Sequence, residues 1–172
     1  LAASSGVVLE HCLANSSALL QWPQTRCDWI RPGLMLYGVS PVDHPQAGEL
    51  GLRPAMTVSS ALIAVKEVPA GGTIGYGGTW RCPENMRVGV VAFGYADGYP
   101  RHAGTGTPVL VNGVRTQILG DPTMDMLMVD LRGLPTARVG DSVVLWGEGL
   151  PVEEIARHAG TIPYELLCRM RM

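Results

Sequence analysis

Lysine is almost missing from this chain: Lys66 stands alone against twelve arginines in 172 residues. Chemistry that needs a lysine amine must use Lys66 or import the amine from elsewhere. Cysteine offers as little. Cys12, Cys27, Cys82 and Cys168 are scattered without a CxxC pair, which argues against a zinc site or a disulfide framework and favours a reducing compartment. His11, His44, His102 and His158 show no ligand spacing, so no metal is expected, and no Ser-His-Asp set can be assembled. G-x-G-x-x-G and P-loop motifs are absent. With 16% charged residues and a net charge of −2, nothing points to nucleic acid or an anionic membrane surface. No apolar run reaches the roughly 18 residues of a membrane span. Low charge beside 47% hydrophobic residues suggests that part of the surface is covered by protein. The start, Leu1 to Gly6, has neither an initiator methionine nor the basic and apolar regions of a signal peptide. The expectation is a chain that begins inside something larger.

Local patterning divides the chain. Ser5 to Glu10 reads as a short buried parallel strand. His11 to Gln21 then reads as a helix with Asn15 and Ser16 near its start, stopped by Pro23. Asp28-Trp29-Ile30 leads to Arg31-Pro32-Gly33, and Leu34 to Gly38 follows as a strand ending in a turn. This order suits the end of an α/β unit. Ser40 to Pro54, rich in Pro, Gly, Asp and His, reads as a connection. From Ala55 onward strands dominate, at Val58–Val68, Arg87–Phe93, Met126–Leu131 and Ser142–Trp146. Pro108–Val111, Asn112-Gly113 and Val114–Leu119 form a hairpin signal, because Asn-Gly supplies the two positive-φ positions of a type I′ turn. Pro151 to Gly160 is a compact helix with early glutamates, late Arg and His, and glycine just beyond its end. Glu165 to Met170 reads as a closing strand. The sum is a mainly β, closed or nearly closed antiparallel barrel.

Several short motifs carry chemical interest. Ile74-Gly75-Tyr76-Gly77-Gly78-Thr79 and Gly94-Tyr95-Ala96-Asp97-Gly98 place a tyrosine between small residues, so that a phenol, donor and acceptor at once, is aimed rather than packed. Asn15-Ser16-Ser17 offers a hydroxyl and backbone amides where strand meets helix, suited to an anion or to a plain N-cap. Arg31-Pro32-Gly33 sets a planar cation beside a close-approaching backbone. Met124-Asp125 follows a Gly-Asp-Pro-Thr turn whose backbone amides can take a carboxylate. Thr161-Ile162-Pro163-Tyr164-Glu165 adds a tyrosine just past a helix stop.

In this order, with His11-Cys12-Leu13-Ala14-Asn15-Ser16 at the front, the motifs resemble the alanine racemase family over nearly the whole chain. The resemblance implies a pyridoxal 5′-phosphate enzyme that interconverts L- and D-alanine as a homodimer, in the bacterial cytoplasm. It implies residues 1–44 as the end of a (β/α)8 barrel, 45–54 as a linker, and 55–172 as the C-terminal β domain. Ser16, Gly33 and Leu34 match the phosphate site, Tyr164 matches a tyrosine reaching it, and Arg31 matches the arginine facing the pyridine nitrogen. Tyr76 matches the catalytic tyrosine, one of two bases on opposite faces of the substrate Cα. Met124 matches the backbone that binds the substrate carboxylate. Tyr95 matches a tyrosine narrowing the entrance, with Arg101 further out.

Two departures accompany the match. Pro122-Thr123 stands where the family shows a small or β-branched residue followed by Ser or Cys, and proline removes one N–H donor. The lysine that carries the cofactor belongs to an early barrel strand, before this chain begins, and Lys66 reads as a solvated edge residue. These residues alone are therefore expected to be inactive. A stand-alone β-barrel binding module, or a regulatory relative without catalysis, is the alternative. Residues 1–40, a βα piece without its neighbours, are expected to be the weak part.

Overall fold

The computed structural model describes residues 8–170, and the chain divides into two compact units, one ending at Ala55 and one beginning at Met56. In the first, β1 (Cys12–Asn15) pairs in parallel with β2 (Trp29–Arg31), joined through the short helix α1 (Ser16–Gln21). The Asn15 side chain accepts the Ala18 N–H at 3.0 Å and starts the helix. The Arg26 guanidinium donates to the Leu19 carbonyl near its end, at 2.6 and 3.0 Å.

Three expectations change here. Part of the strand expected at Ser5–Glu10 lies outside the described residues. Val8 to Glu10 are not in a strand, and the ladder begins at Cys12. The helix accordingly starts at Ser16, not His11, because pairing with β2 takes residues 12–15 and Asn15 can cap only a helix that begins after it. Leu34–Tyr37 is a 3₁₀ turn rather than a strand, closed by left-handed Gly38. Residues 40–54 fold back on themselves, and the Ala55 N–H donates to the Tyr37 carbonyl at 3.1 Å.

The second unit is built on β3 (Val58–Val68), β4 (Thr73–Ile74), β5 (Trp80–Arg81), β6 (Met86–Val91), β7 (Pro108–Val111), β8 (Val114–Gln117), β9 (Leu127–Asp130) and β10 (Ser142–Trp146). Six of these form one antiparallel sheet in the order β8-β7-β10-β3-β6-β9. Its two edges meet: Ile118 bridges Val129, and the Leu119 N–H donates to the Met128 carbonyl at 2.8 Å. The sheet thus curls into a nearly closed barrel, which removes exposed strand edges. Leu62, Val91, Ile118, Val129, Leu145 and Trp146 are among the side chains that fill it. Asn112 (φ 50°) and Gly113 (φ 78°) turn the β7–β8 hairpin, with the signs a type I′ turn requires. Beyond its pairing with β10, β3 runs on against β6 alone, and exposed Lys66 lies on that overhang.

Helices α2 (Val152–His158) and α3 (Pro163–Arg169) follow. The closing strand expected at Glu165–Met170 is helix instead. Pro163 occupies the first turn, where its missing N–H costs nothing, Glu165 and Arg169 pair at 2.5 Å one turn apart, and Leu166 is buried. At the end of β9, buried Asp130 receives the Arg132 guanidinium at 2.6 Å, while Arg132 also reaches Glu84 at 2.5 Å. Burial pushes the Asp130 carboxyl up, but the bonds from Arg132 outweigh it and the net shift is downward.

Candidate functional site

In the first unit, Ser16 is buried at the junction of β1 and α1, and its hydroxyl accepts the N–H of Gly33 at 2.9 Å and of Met35 at 3.4 Å. Two amides and a hydroxyl therefore converge where β2 gives way to the 3₁₀ turn. Gly33 has φ −108°, a value open to any residue, and a Cβ built on it meets no atom within 4 Å. Neither backbone conformation nor packing requires glycine at this position. The unfilled space beside its amide suits a group with strong acceptor oxygens such as a phosphate. The amides on either side of Leu34 reach Ser16, Met35 being a donor the sequence did not reveal, while among the described residues nothing accepts the Leu34 N–H; its side chain is buried. Exposed Arg31 extends from the end of β2 and contacts the Leu13 carbonyl at 3.4 Å.

In the second unit three loops meet. The first holds Tyr76, which is 65% exposed, in a turn where Gly75, Gly77 and Gly78 all have positive φ (81°, 68° and 62°). Only glycine takes such a run without strain, so the phenol stands clear of the sheet. Gly75 lies against the backbone of Gly120 and Asp121, within 4 Å of where its Cβ would be. This sets the tyrosine turn beside the second loop, residues 120–126. There Thr123 makes the turn: its N–H and hydroxyl both donate to the Met126 carbonyl, at 3.0 and 2.9 Å, and its Oγ1 accepts the Met126 N–H at 3.1 Å. Met124, 50% exposed, and Asp125 form the tip, and among the described residues nothing accepts their amide hydrogens. Two adjacent unpaired N–H groups on an exposed turn can receive a carboxylate. The donor lost at Pro122 is not one of them, and buried Thr123 closes the turn through its own hydroxyl.

The third loop is Gly94–Gly98. The Tyr95 N–H donates to the Thr123 carbonyl at 3.0 Å and the Ala96 N–H to the Met124 carbonyl at 2.9 Å. Asp97 accepts the Gly94 N–H at 2.9 Å and closes the loop on itself. Phe93 and Tyr99 root it in the core, edge to face with each other (centroids 6.3 Å), and Tyr99 stacks on Trp146 at 5.8 Å. Burial pushes the Tyr99 phenol well above its ordinary range. Tyr95 and Arg101 share the wall of one cavity of about 420 Å³, which Ala96, Gly98, Tyr99 and Arg169 also line. Tyr164, 44% exposed, sits in the first turn of α3. The structure therefore gathers Tyr76, Tyr95, Arg101 and Met124 around neighbouring loops of the second unit, and Ser16, Gly33 and the 3₁₀ turn after it in the first. The capping role of Asp97 and the turn-closing hydroxyl of Thr123 escaped the sequence reading. An aspartate three residues after Gly94, in the position of a turn cap, was the available signal for the first. Among the described residues no cluster of His, Cys, Asp and Glu could hold a metal ion.

The family model for the alanine racemase C-terminal domain matches residues 55–172, and that for the alanine racemase N-terminal domain matches residues 3–41. An alanine racemase of Nitrosospira multiformis is 57% identical over 166 residues, which are 96% of this chain and 46% of the relative. One of Piscirickettsia salmonis is 53% identical over 156 residues, 91% of this chain and 94% of that sequence. The crystal structure of the biosynthetic alanine racemase from Pseudomonas aeruginosa superposes with a TM-score of 0.90 at 53% identity, covering 94% of this chain and 45% of its own. The chain spans about half the length of the Nitrosospira and Pseudomonas proteins.

Proposed function

The chain belongs to the alanine racemase family, and from that premise we propose that it is the C-terminal part of an enzyme that interconverts L- and D-alanine with pyridoxal 5′-phosphate. The observation that carries the reading is the meeting of the Tyr76 turn with a turn that offers the Met124 and Asp125 amides. When bound, the cofactor supplies the electron sink that makes the α-hydrogen of an amino acid removable. Ser16, whose hydroxyl hydrogen is left to donate, and the backbone of Gly33 and Leu34 would hold its phosphate; Tyr164 is the further hydroxyl that the family resemblance assigns to that group. Arg31 would be the partner of the ring nitrogen, and because a guanidinium does not give up its proton, that nitrogen would stay largely unprotonated.

Tyr76 exchanges a proton with the substrate Cα from one face, and its glycine hinges let the phenol be aimed there. The amides at Met124 and Asp125 take the substrate carboxylate, while Tyr95 and Arg101 narrow the approach. In a homodimer of the whole enzyme, Tyr76 and the Met124 turn serve the partner's site. The base for the other face is a lysine, and the only lysine among these 172 residues is Lys66, exposed on the β3 overhang. These residues alone are therefore not expected to racemise alanine. Bacterial cytoplasm and supply of D-alanine to the cell wall fit the reading. No helix among the described residues is long and apolar enough to cross a membrane.

The test is Tyr76→Phe in a full-length racemase carrying this sequence. Turnover should fall about a hundredfold or more in both directions, the scale of a lost general acid–base. In the 172-residue chain the same substitution should not move the unfolding midpoint, because there the phenol is exposed and donates no hydrogen bond among the described residues. Unchanged turnover would sink the assignment. D-alanine made by the 172-residue polypeptide with added cofactor, with borohydride fixing a pyridoxyl group on Lys66, would refute the expected inactivity.

A further inference from the structure

Nothing in the proposed chemistry uses Asp97, yet its carboxylate closes the loop that rests on the Met124 turn. It accepts the Gly94 N–H at 2.9 Å, and the Asp97 N–H donates to the Gly94 carbonyl at 3.2 Å, so residues 94–97 are closed by bonds in both directions. The closed loop turns the next two amides, of Tyr95 and Ala96, onto the carbonyls of Thr123 and Met124. Those carbonyls belong to the peptide groups whose N–H hydrogens are carried by Met124 and Asp125. Fixing each carbonyl fixes the opposite direction of its amide, since the peptide group is planar. The unpaired N–H groups at the turn tip are thus aimed from behind by the Gly94–Gly98 loop. At its other end Gly98 lies against the backbone of Arg169, the last residue of α3, whose first turn bears Tyr164.

We propose that Asp97 is a positioning residue: by capping Gly94 it holds the loop that orients the Met124 and Asp125 amides toward a substrate carboxylate. This rests on the reading of that turn as the carboxylate site. Two measurements separate the loop's role from that reading. In the 172-residue chain, Asp97→Ala should speed amide hydrogen exchange at Tyr95, Ala96 and Met126 about tenfold or more, with Leu119 and Val129 of the sheet unchanged. Asp97→Asn, which keeps an acceptor oxygen, should restore protection. If Asp97→Ala does not fold, Asp97→Ser gives the same pattern with smaller amplitude. In a full-length racemase carrying residues 56–172 of this chain, Asp97→Ala should raise KM for L-alanine about tenfold and leave kcat within about twofold, the signature of lost ground-state binding. Unchanged exchange at the three amides, or equal loss throughout the sheet, would overturn the positioning role and leave the proposed function standing. Faster exchange with an unchanged KM would overturn both the role and the assignment of the Met124 turn.

Discussion

Replacing Gly94 by alanine places a methyl carbon where the Met124 carbonyl oxygen is 2.2 Å away and the Thr123 carbonyl oxygen 2.5 Å away. The backbone angles of Gly94 (φ −146°, ψ −165°) are open to any residue, so contact and not conformation excludes the side chain. Both clashing atoms are backbone and cannot swing aside. The loop must lift, which stretches or breaks the Tyr95–Thr123 and Ala96–Met124 hydrogen bonds. Two such bonds contribute about 1 kcal/mol each, and the residual overpacking adds about 1–3 kcal/mol. The expected loss is about 3–5 kcal/mol, less the few tenths that alanine recovers by stiffening the unfolded chain. At a urea dependence of about 2 kcal/mol per molar, the unfolding midpoint of the second unit falls by about 1.5–2.5 M. Urea titration followed by tryptophan fluorescence reads this directly, because Trp146 packs under Tyr99 at the foot of the loop. A midpoint within about 0.3 M of the parent, with m unchanged, would show that the loop is free to move away, and the reasoning about contact would be wrong.

Gly33→Ala makes the opposite prediction from the same kind of observation. A methyl there meets nothing within 4 Å and the backbone is unstrained, so the unfolding midpoint should hold. Affinity for pyridoxal 5′-phosphate in the full-length enzyme should fall about tenfold or more, roughly the cost of displacing one well-made phosphate contact. Unaltered cofactor affinity would remove Gly33 from the phosphate site. Asp130 gives a pH dependence. Its carboxyl is held below the ordinary range in the folded chain by Arg132, against the upward push of burial. The stabilisation is therefore complete above the unfolded value of about 3.9 and is lost as pH falls through the folded value. Between pH 6 and pH 3 the parent should lose more of its urea midpoint than Arg132→Ala, and parallel losses would exclude the pair as the cause.

Much of the second unit is legible in the amino acids themselves. Asn112-Gly113 can hardly do anything but turn a hairpin, since their positive φ values are a property of those two residues. Helix α2 is similarly self-declared by its charges and its terminal glycine. At α3 the local signals were present but pointed to helix: Pro163 in the first turn and Glu165 four residues before Arg169 outweigh the short apolar run that reads as strand. The order of motifs from Asn15-Ser16 to Pro163-Tyr164 is enough to indicate the family.

What the sequence determined alone is the set of short-range choices, because turn torsions, caps and i,i+4 pairs depend only on residues within a few positions. Where β1 begins was decided by its partner β2, 17 residues further on, and closure of the barrel by the meeting of Ile118 with Val129. The glycines of the two tyrosine motifs divide in the same way. Those beside Tyr76 are required by their own positive φ, which local sequence suggests. Gly94 is required by carbonyls nearly thirty residues away, and Asp97 matters through the loop that rests on them. Such distances are set by the packing of other segments, and only the tertiary structure contains them.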